Sequence, residues 1–109
     1  MKPFHYHEPA TIAEACRILK EHGKNARILA GGTDLVIQMK RGKISPAHVV
    51  NIKKISELNT ITTNGEGIAI GAAVPLSAIV KHKDIAEKLP MVSKAAHSVG
   101  SVQVRNRAT

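Results

Sequence analysis

Residues 27–43 read RILAGGTDLVIQMKRGK: an apolar run, two adjacent glycines, a Thr-Asp pair, then apolar residues at helical spacing. No other stretch restricts the fold as tightly. Arg27 to Ala30 predicts a buried strand, and a strand that enters a helix through Gly31-Gly32 must turn within two residues. Glycine permits backbone conformations and close approaches that a Cβ blocks. Thr33 or Asp34 is positioned to cap a helix running to about Lys40, with Leu35, Val36 and Met39 on its inner side. Arg41-Gly42-Lys43 ends that helix, and His48 to Ile52 predicts the next strand.

Upstream, Phe4 to Tyr6 predicts a short strand ended by Glu8-Pro9. Thr11 with Glu14 three residues on is a capping-box pattern. Ile12, Ala15, Cys16 and Leu19 then recur at helical spacing, which assigns Cys16 to the helix's apolar side as an inert core residue, and Gly23 stops the helix. Strand and helix thus alternate over the first fifty residues, the pattern of a small α/β unit with crossover connections.

The second half is organised differently. Leu58 to Thr63, a turn at Asn64-Gly65-Glu66-Gly67, and Ile68 to Ile70 predict an antiparallel hairpin. Ala72 to Val80 predicts a helix with Pro75 in its first turn. Leu89 to Ser98 predicts another, with Met91, Val92, Ala95, Ala96 and Val99 on one side and Gly100 closing it. The final stretch SVGSVQVRNRAT is expected to lack a capping residue or closing element, as though the chain were cut there.

Sixteen Lys and Arg against eight Asp and Glu give a net charge of +8, a field that attracts phosphates of any kind. Nucleic acid, a nucleotide cofactor and an acidic partner all satisfy that field. Aromatic residues are only 2% of the chain, which argues against base stacking and hence against nucleic acid. No apolar run is long enough to span a membrane. The start of the chain has no signal-peptide pattern, and Cys16 is the single cysteine, so a cytoplasmic protein without disulfides is expected.

The chemistry-bearing candidates are few. A helix N-terminus offers unpaired N–H groups and partial positive charge, so the AGGTDL stretch reads as a pyrophosphate loop. On local pattern alone an ordinary Gly-Gly turn with a Thr or Asp cap is the favoured reading, and neither standard nucleotide fingerprint is present. Asp34 suits a helix start but would repel phosphate unless it turns away or bonds a sugar hydroxyl. His5 and His7 share one face of a strand, but with no third ligand in view the expectation is a surface or packing role and no metal site. Lys53 and Lys54 read as a solvated face, while Arg105 and Arg107 read evenly as solvated or as approaching a ligand. No nucleophile–base pair or carboxylate pair is recognisable, so no catalytic residue is assigned.

Four stretches in order, ILAGGTDLVIQMKRG, HVVNI, GIAIGAAVPLSAI and SVGSVQVRNRAT, resemble the FAD-binding subunit of the molybdenum hydroxylases over essentially all of the chain. That group includes xanthine dehydrogenase, the carbon monoxide dehydrogenase medium subunit and the 4-hydroxybenzoyl-CoA reductase β subunit. The resemblance implies an α/β (α+β) FAD-binding fold of the vanillyl-alcohol oxidase type. Residues 1–55 would form the first subdomain and 56–109 the start of the second, stopping before a second glycine loop.

It implies FAD contacts from Ile28, Leu29, Ala30, Gly31, Gly32, Thr33, Asp34 and Leu35, with Thr109 opening the second loop and Val99 near the flavin or adenine. It further implies electrons arriving from [2Fe-2S] clusters in a small subunit, after leaving substrate at a molybdopterin centre in a large subunit. FAD then passes them to an external acceptor. Because Met1 directly precedes the domain, the style in which FAD occupies its own subunit is favoured. The fragment alone is expected to be inactive, and a homodimer of fragments would cover apolar faces left open. A flavin-free docking module is the alternative, and a basic nucleic-acid binder ranks third.

Overall fold

A computed structural model describes residues 1–109. Strands β1 (His5–His7), β2 (Ala26–Leu29) and β3 (His48–Asn51) form a parallel sheet in the order β1-β3-β2. Helices α1 (Ile12–His22) and α2 (Leu35–Lys40) make the two connections. Strand β3 is therefore central, which is why it is the buried one: Val49, Val50 and even Asn51 are all buried. The register pairs His5 with His48 and Ala26 with His48, so three strand starts align.

Helix α1 begins as the capping box requires. The Thr11 hydroxyl accepts from the Glu14 amide at 3.1 Å, and the Glu14 carboxylate accepts from the Ala10 amide at 3.3 Å. Its buried face is Ala15, Ile18 and, in part, Leu19, packed on Val50 and Ile52 with Ile55 and Ala73. Cys16 is exposed rather than in the core, and Ile12 is exposed too. The inward stripe runs through Ile18, one residue off the predicted set, because the narrow three-stranded sheet covers only part of the helix surface.

A hairpin of β4 (Ile61–Asn64) and β5 (Gly67–Ile70) follows a 3₁₀ turn at Ser56–Asn59. The Asn64 side chain accepts from the Glu66 and Gly67 amides at 2.8 and 3.0 Å and closes the turn. Four short helices complete the chain: α3 (Leu76–Lys81), α4 (Lys83–Lys88), α5 (Pro90–His97) and α6 (Val102–Arg105). Pro75 caps α3 from outside rather than lying in its first turn. Helix α4 is unforeseen; His82 starts it, its Nδ1 accepting from the Ile85 amide at 3.4 Å.

The end of the chain is capped after all. The Ser101 hydroxyl accepts from the Val104 amide, and α6 folds back so that Ala108 C=O accepts from the Leu76 amide at 2.8 Å. Val74, Ile79, Ile85 and Ala96 form a second core, which meets the first at the adjacent residues Ala73 and Val74. Of the face predicted inward on α5, only Ala96 is buried; Met91 is 83% exposed, and Val92, Ala95 and Val99 are exposed as well. The body measures 44 × 30 × 18 Å with a radius of gyration of 15.5 Å, against about 13 Å for a compact chain of this size. Such a flattened shape leaves both cores thin.

Candidate functional site

Strand β2 ends at Leu29 and α2 begins at Leu35, so Ala30 to Asp34 form the connecting loop on the carboxyl side of the sheet. In open parallel sheets that side is where ligands bind. The two glycines do different jobs. Gly32 has φ +80°, the left-handed region that disfavours every residue with a Cβ. Gly31 lies outside that region, but a Cβ there would land on the Arg107 carbonyl and against Ala108. The first glycine is thus the contact that lets the C-terminal segment lie on the loop.

Asp34 takes the cap position of α2 without a side-chain cap bond, so neither Thr33 nor Asp34 caps through its oxygen. None of the backbone amides from Ala30 to Asp34 donates a hydrogen bond within the chain. The loop is held from below by Lys53, whose ammonium donates to the Ala30 carbonyl at 2.9 Å. Partial burial, and then the charge of Arg107, hold the Lys53 ammonium below its usual pKa, with Glu8 opposing. Lys53 is accordingly no solvated surface lysine. Its neighbour Lys54 is one, bound to Glu8 at 2.8 Å, and that hydrogen bond and charge raise its pKa.

Thr33 and Asp34 open onto a groove of about 550 Å³ that Val99 and Thr109 also line. The structure therefore brings the adjacent Thr33 and Asp34 together with Val99 and Thr109, four residues expected to form the site from three distant parts of the chain. Ile37, Leu76, Val104 and Ala108 supply the rest of the wall, mostly apolar. Gly31, Gly32 and Ala30 form the loop behind it and are half-buried; Ile28 is exposed and Leu29 and Leu35 half-buried, outside the groove lining. Sequence reasoning missed Ile37, Leu76, Val104 and Ala108. Nothing local marks them, because they meet only when α6 folds over the loop. Arg105 serves the backbone, donating to the Val99 carbonyl at 3.0 Å and the Gly100 carbonyl at 3.4 Å.

A second cluster lies on the sheet face under α1. His5 and His7 share that face with His48, and His22, the last residue of α1, stacks on His48 with ring centroids 3.5 Å apart. The third imidazole missing from the sequence pattern is thus supplied by tertiary structure.

The family model of the FAD binding domain in molybdopterin dehydrogenase matches residues 2–109. The chain is 35% identical over 106 residues to the carbon monoxide dehydrogenase medium chain of Hydrogenophaga pseudoflava, covering 97% of this chain and 37% of that one. It is 35% identical over 105 residues to the xanthine dehydrogenase FAD-binding subunit of Escherichia coli O157:H7, covering 95% and 36%. Among solved structures, the carbon monoxide dehydrogenase from Hydrogenophaga pseudoflava matches with a TM-score of 0.94 at 35% identity, over 100% of this chain and 39% of that one. The chain spans a little over a third of the length of these relatives. No helix is long and apolar enough to cross a membrane.

Proposed function

This chain belongs to the family of FAD-binding domains in molybdopterin dehydrogenases, and on that premise we propose that it supplies the first diphosphate loop of an FAD site in a multisubunit oxidoreductase. The observation that carries the reading is the run of five backbone amides, Ala30 to Asp34, with no partner in the chain, on a glycine loop beside a groove. Amides of this kind are donors for phosphate oxygens, and charge-assisted bonds to them contribute roughly 1.5–3 kcal/mol each. Gly31 lacks a side chain where the Arg107–Ala108 backbone lies on the loop, and Gly32 turns the loop at φ +80°. Lys53 fixes the loop from beneath, and Arg107 adds positive charge beside it. The apolar wall of Ile37, Leu76, Val99 and Val104 suits a flat ring system rather than a second phosphate.

FAD, when bound, supplies the redox chemistry. This chain's residues bind it, orient it and shape its surroundings. The contact set is Ile28 to Leu35 with Val99 and Thr109, and the division at residue 55 into two FAD subdomains belongs to the same reading. Ala73 packs into the first core, so the second subdomain reaches across that boundary. The partners are an iron–sulfur small subunit and a molybdopterin large subunit, with FAD passing electrons to an external acceptor.

The test is a chimera in which this chain replaces the matching part of the Hydrogenophaga pseudoflava medium chain. The folded chimera is expected to purify with flavin, read by its absorbance and fluorescence, and Gly32→Val to weaken FAD binding at least tenfold. A folded chimera without flavin, or one that keeps it undiminished in Gly31→Val and Gly32→Val, overturns the proposal.

A further inference from the structure

We propose that His7, His22 and His48 form a zinc-class metal site that clamps the first strand, the end of the first helix and the start of the central strand. This inference is independent of the flavin reading. The three residues come from β1, the last position of α1 and the first position of β3. Their ligating nitrogens all lie within 4.8 Å of one another. His7 Nε2 and His48 Nδ1 are hydrogen-bonded at 3.1 Å, close to the roughly 3.3 Å edge of a tetrahedron with Zn–N bonds of about 2.0–2.1 Å, so an ion would take the place of the proton they share.

The fold explains why they converge. Residues two apart on a strand share a face, so His5 and His7 point the same way, and the register sets His48 level with His5 on that face. Helix α1 covers the same face through Ala15 and Ile18 on Val50, two residues along from His48. Its last residue, His22, consequently falls over His48. All three ligands are half-buried, so solvent and metal can reach them.

Imidazole suits borderline divalent ions of the zinc, nickel and copper series rather than calcium or magnesium. Three imidazoles leave a fourth position for water, and His5 stacks on His48 at 5.1 Å between centroids without joining the cluster. The His22 and His48 rings lie nearly parallel, at 16°, and must splay for both nitrogens to face one ion. Half-buried side chains at element ends permit that rotation.

The experiment is calorimetric titration of the 109-residue chain with Zn²⁺ at pH 7.5, paralleled by Co²⁺ absorption spectra. One Zn²⁺ per chain is expected, with visible Co²⁺ bands of intensity typical of four-coordination. His22→Ala and His48→Gln should each weaken Zn²⁺ binding at least tenfold, while His97→Ala, on the far helix, should leave it within twofold. Zn²⁺ should raise the thermal midpoint of the unmodified chain and not that of His48→Gln, which remains folded by circular dichroism. Absence of binding up to about 1 mM Zn²⁺, or equal weakening by His97→Ala, overturns the site.

Discussion

Replacing Gly31 by alanine separates a contact effect from a conformational one. Gly31 lies outside the left-handed region, so alanine is allowed there and would by itself stabilise by about 0.4–1 kcal/mol through the unfolded chain. The obstacle is the Arg107 carbonyl, which a Cβ would meet head-on, with Ala108 Cα at 3.0 Å. If the loop and segment both hold, overpacking costs about 1–3 kcal/mol. If instead the segment peels away, the Leu76–Ala108 hydrogen bond is lost at about 0.5–1.5 kcal/mol, and the buried Ala108 methyl at about 0.8 kcal/mol.

Set against that unfolded-chain gain, both routes centre on a net loss of about 1 kcal/mol. That corresponds to a fall of roughly 4–8 °C in thermal midpoint for a domain of this size. Two controls frame the result. Gly32→Ala must hold φ +80° and costs about 1–2 kcal/mol, its other contacts being the yielding side-chain ends of Leu29 and Val36. Gly65→Ala meets nothing within 4 Å and has no left-handed φ, so it should be neutral or slightly stabilising. Urea unfolding followed by circular dichroism reads all three. Gly31→Ala at or above the unmodified stability, with Gly32→Ala destabilised, would mean that the C-terminal segment does not lie on the loop.

Other perturbations address the cores and the histidine face. Ile85 is fully buried in the second core, so Ile85→Ala should cost about 2–5 kcal/mol by urea unfolding, and a loss under about 1 kcal/mol would deny that core its role. Partial burial, and then the neighbouring His22, His5 and His7, hold His48 below its usual pKa of 6.5. Between that lowered value and 6.5 the unfolded chain binds a proton that the folded chain does not. The stability involved is therefore complete above pH 6.5 and declines as pH falls through that value towards the folded pKa. With EDTA present, acid titration of the thermal midpoint should show this decline, and His48→Gln should flatten it; an unchanged slope would contradict the assignment.

Local signals carried the order of elements in the first half. The strand expected to be buried at Arg27–Ala30 is nevertheless an edge strand on which Arg27 and Ile28 are exposed, because only one neighbour pairs with it. Thr11 and Glu14 form the capping box they spell, and Gly31-Gly32 turn the chain between a strand and a helix. The four ordered stretches pointed to the family that the comparisons identify. Errors fell where burial depends on what an element packs against. Cys16 and Met91 fit an apolar stripe by spacing, yet both are exposed, because a three-stranded sheet and a two-helix patch cover less of a helix than its periodicity offers. Helix α4 and the cap at Ser101 escaped notice because six- and four-residue helices are too short to show a period.

By itself the sequence determined the strand–helix alternation, the position of the glycine loop and the kinship to flavin-binding domains, since each is written in neighbouring residues through backbone freedom, capping and 3.6-residue spacing. Only the tertiary structure decided which distant groups meet. It laid Arg107 and Ala108 on Gly31 and thereby walled the groove with Val99 and Thr109. It also gathered His7, His22 and His48, because parallel register and the landing point of α1 are set by packing across the sheet, which no short stretch of chain encodes.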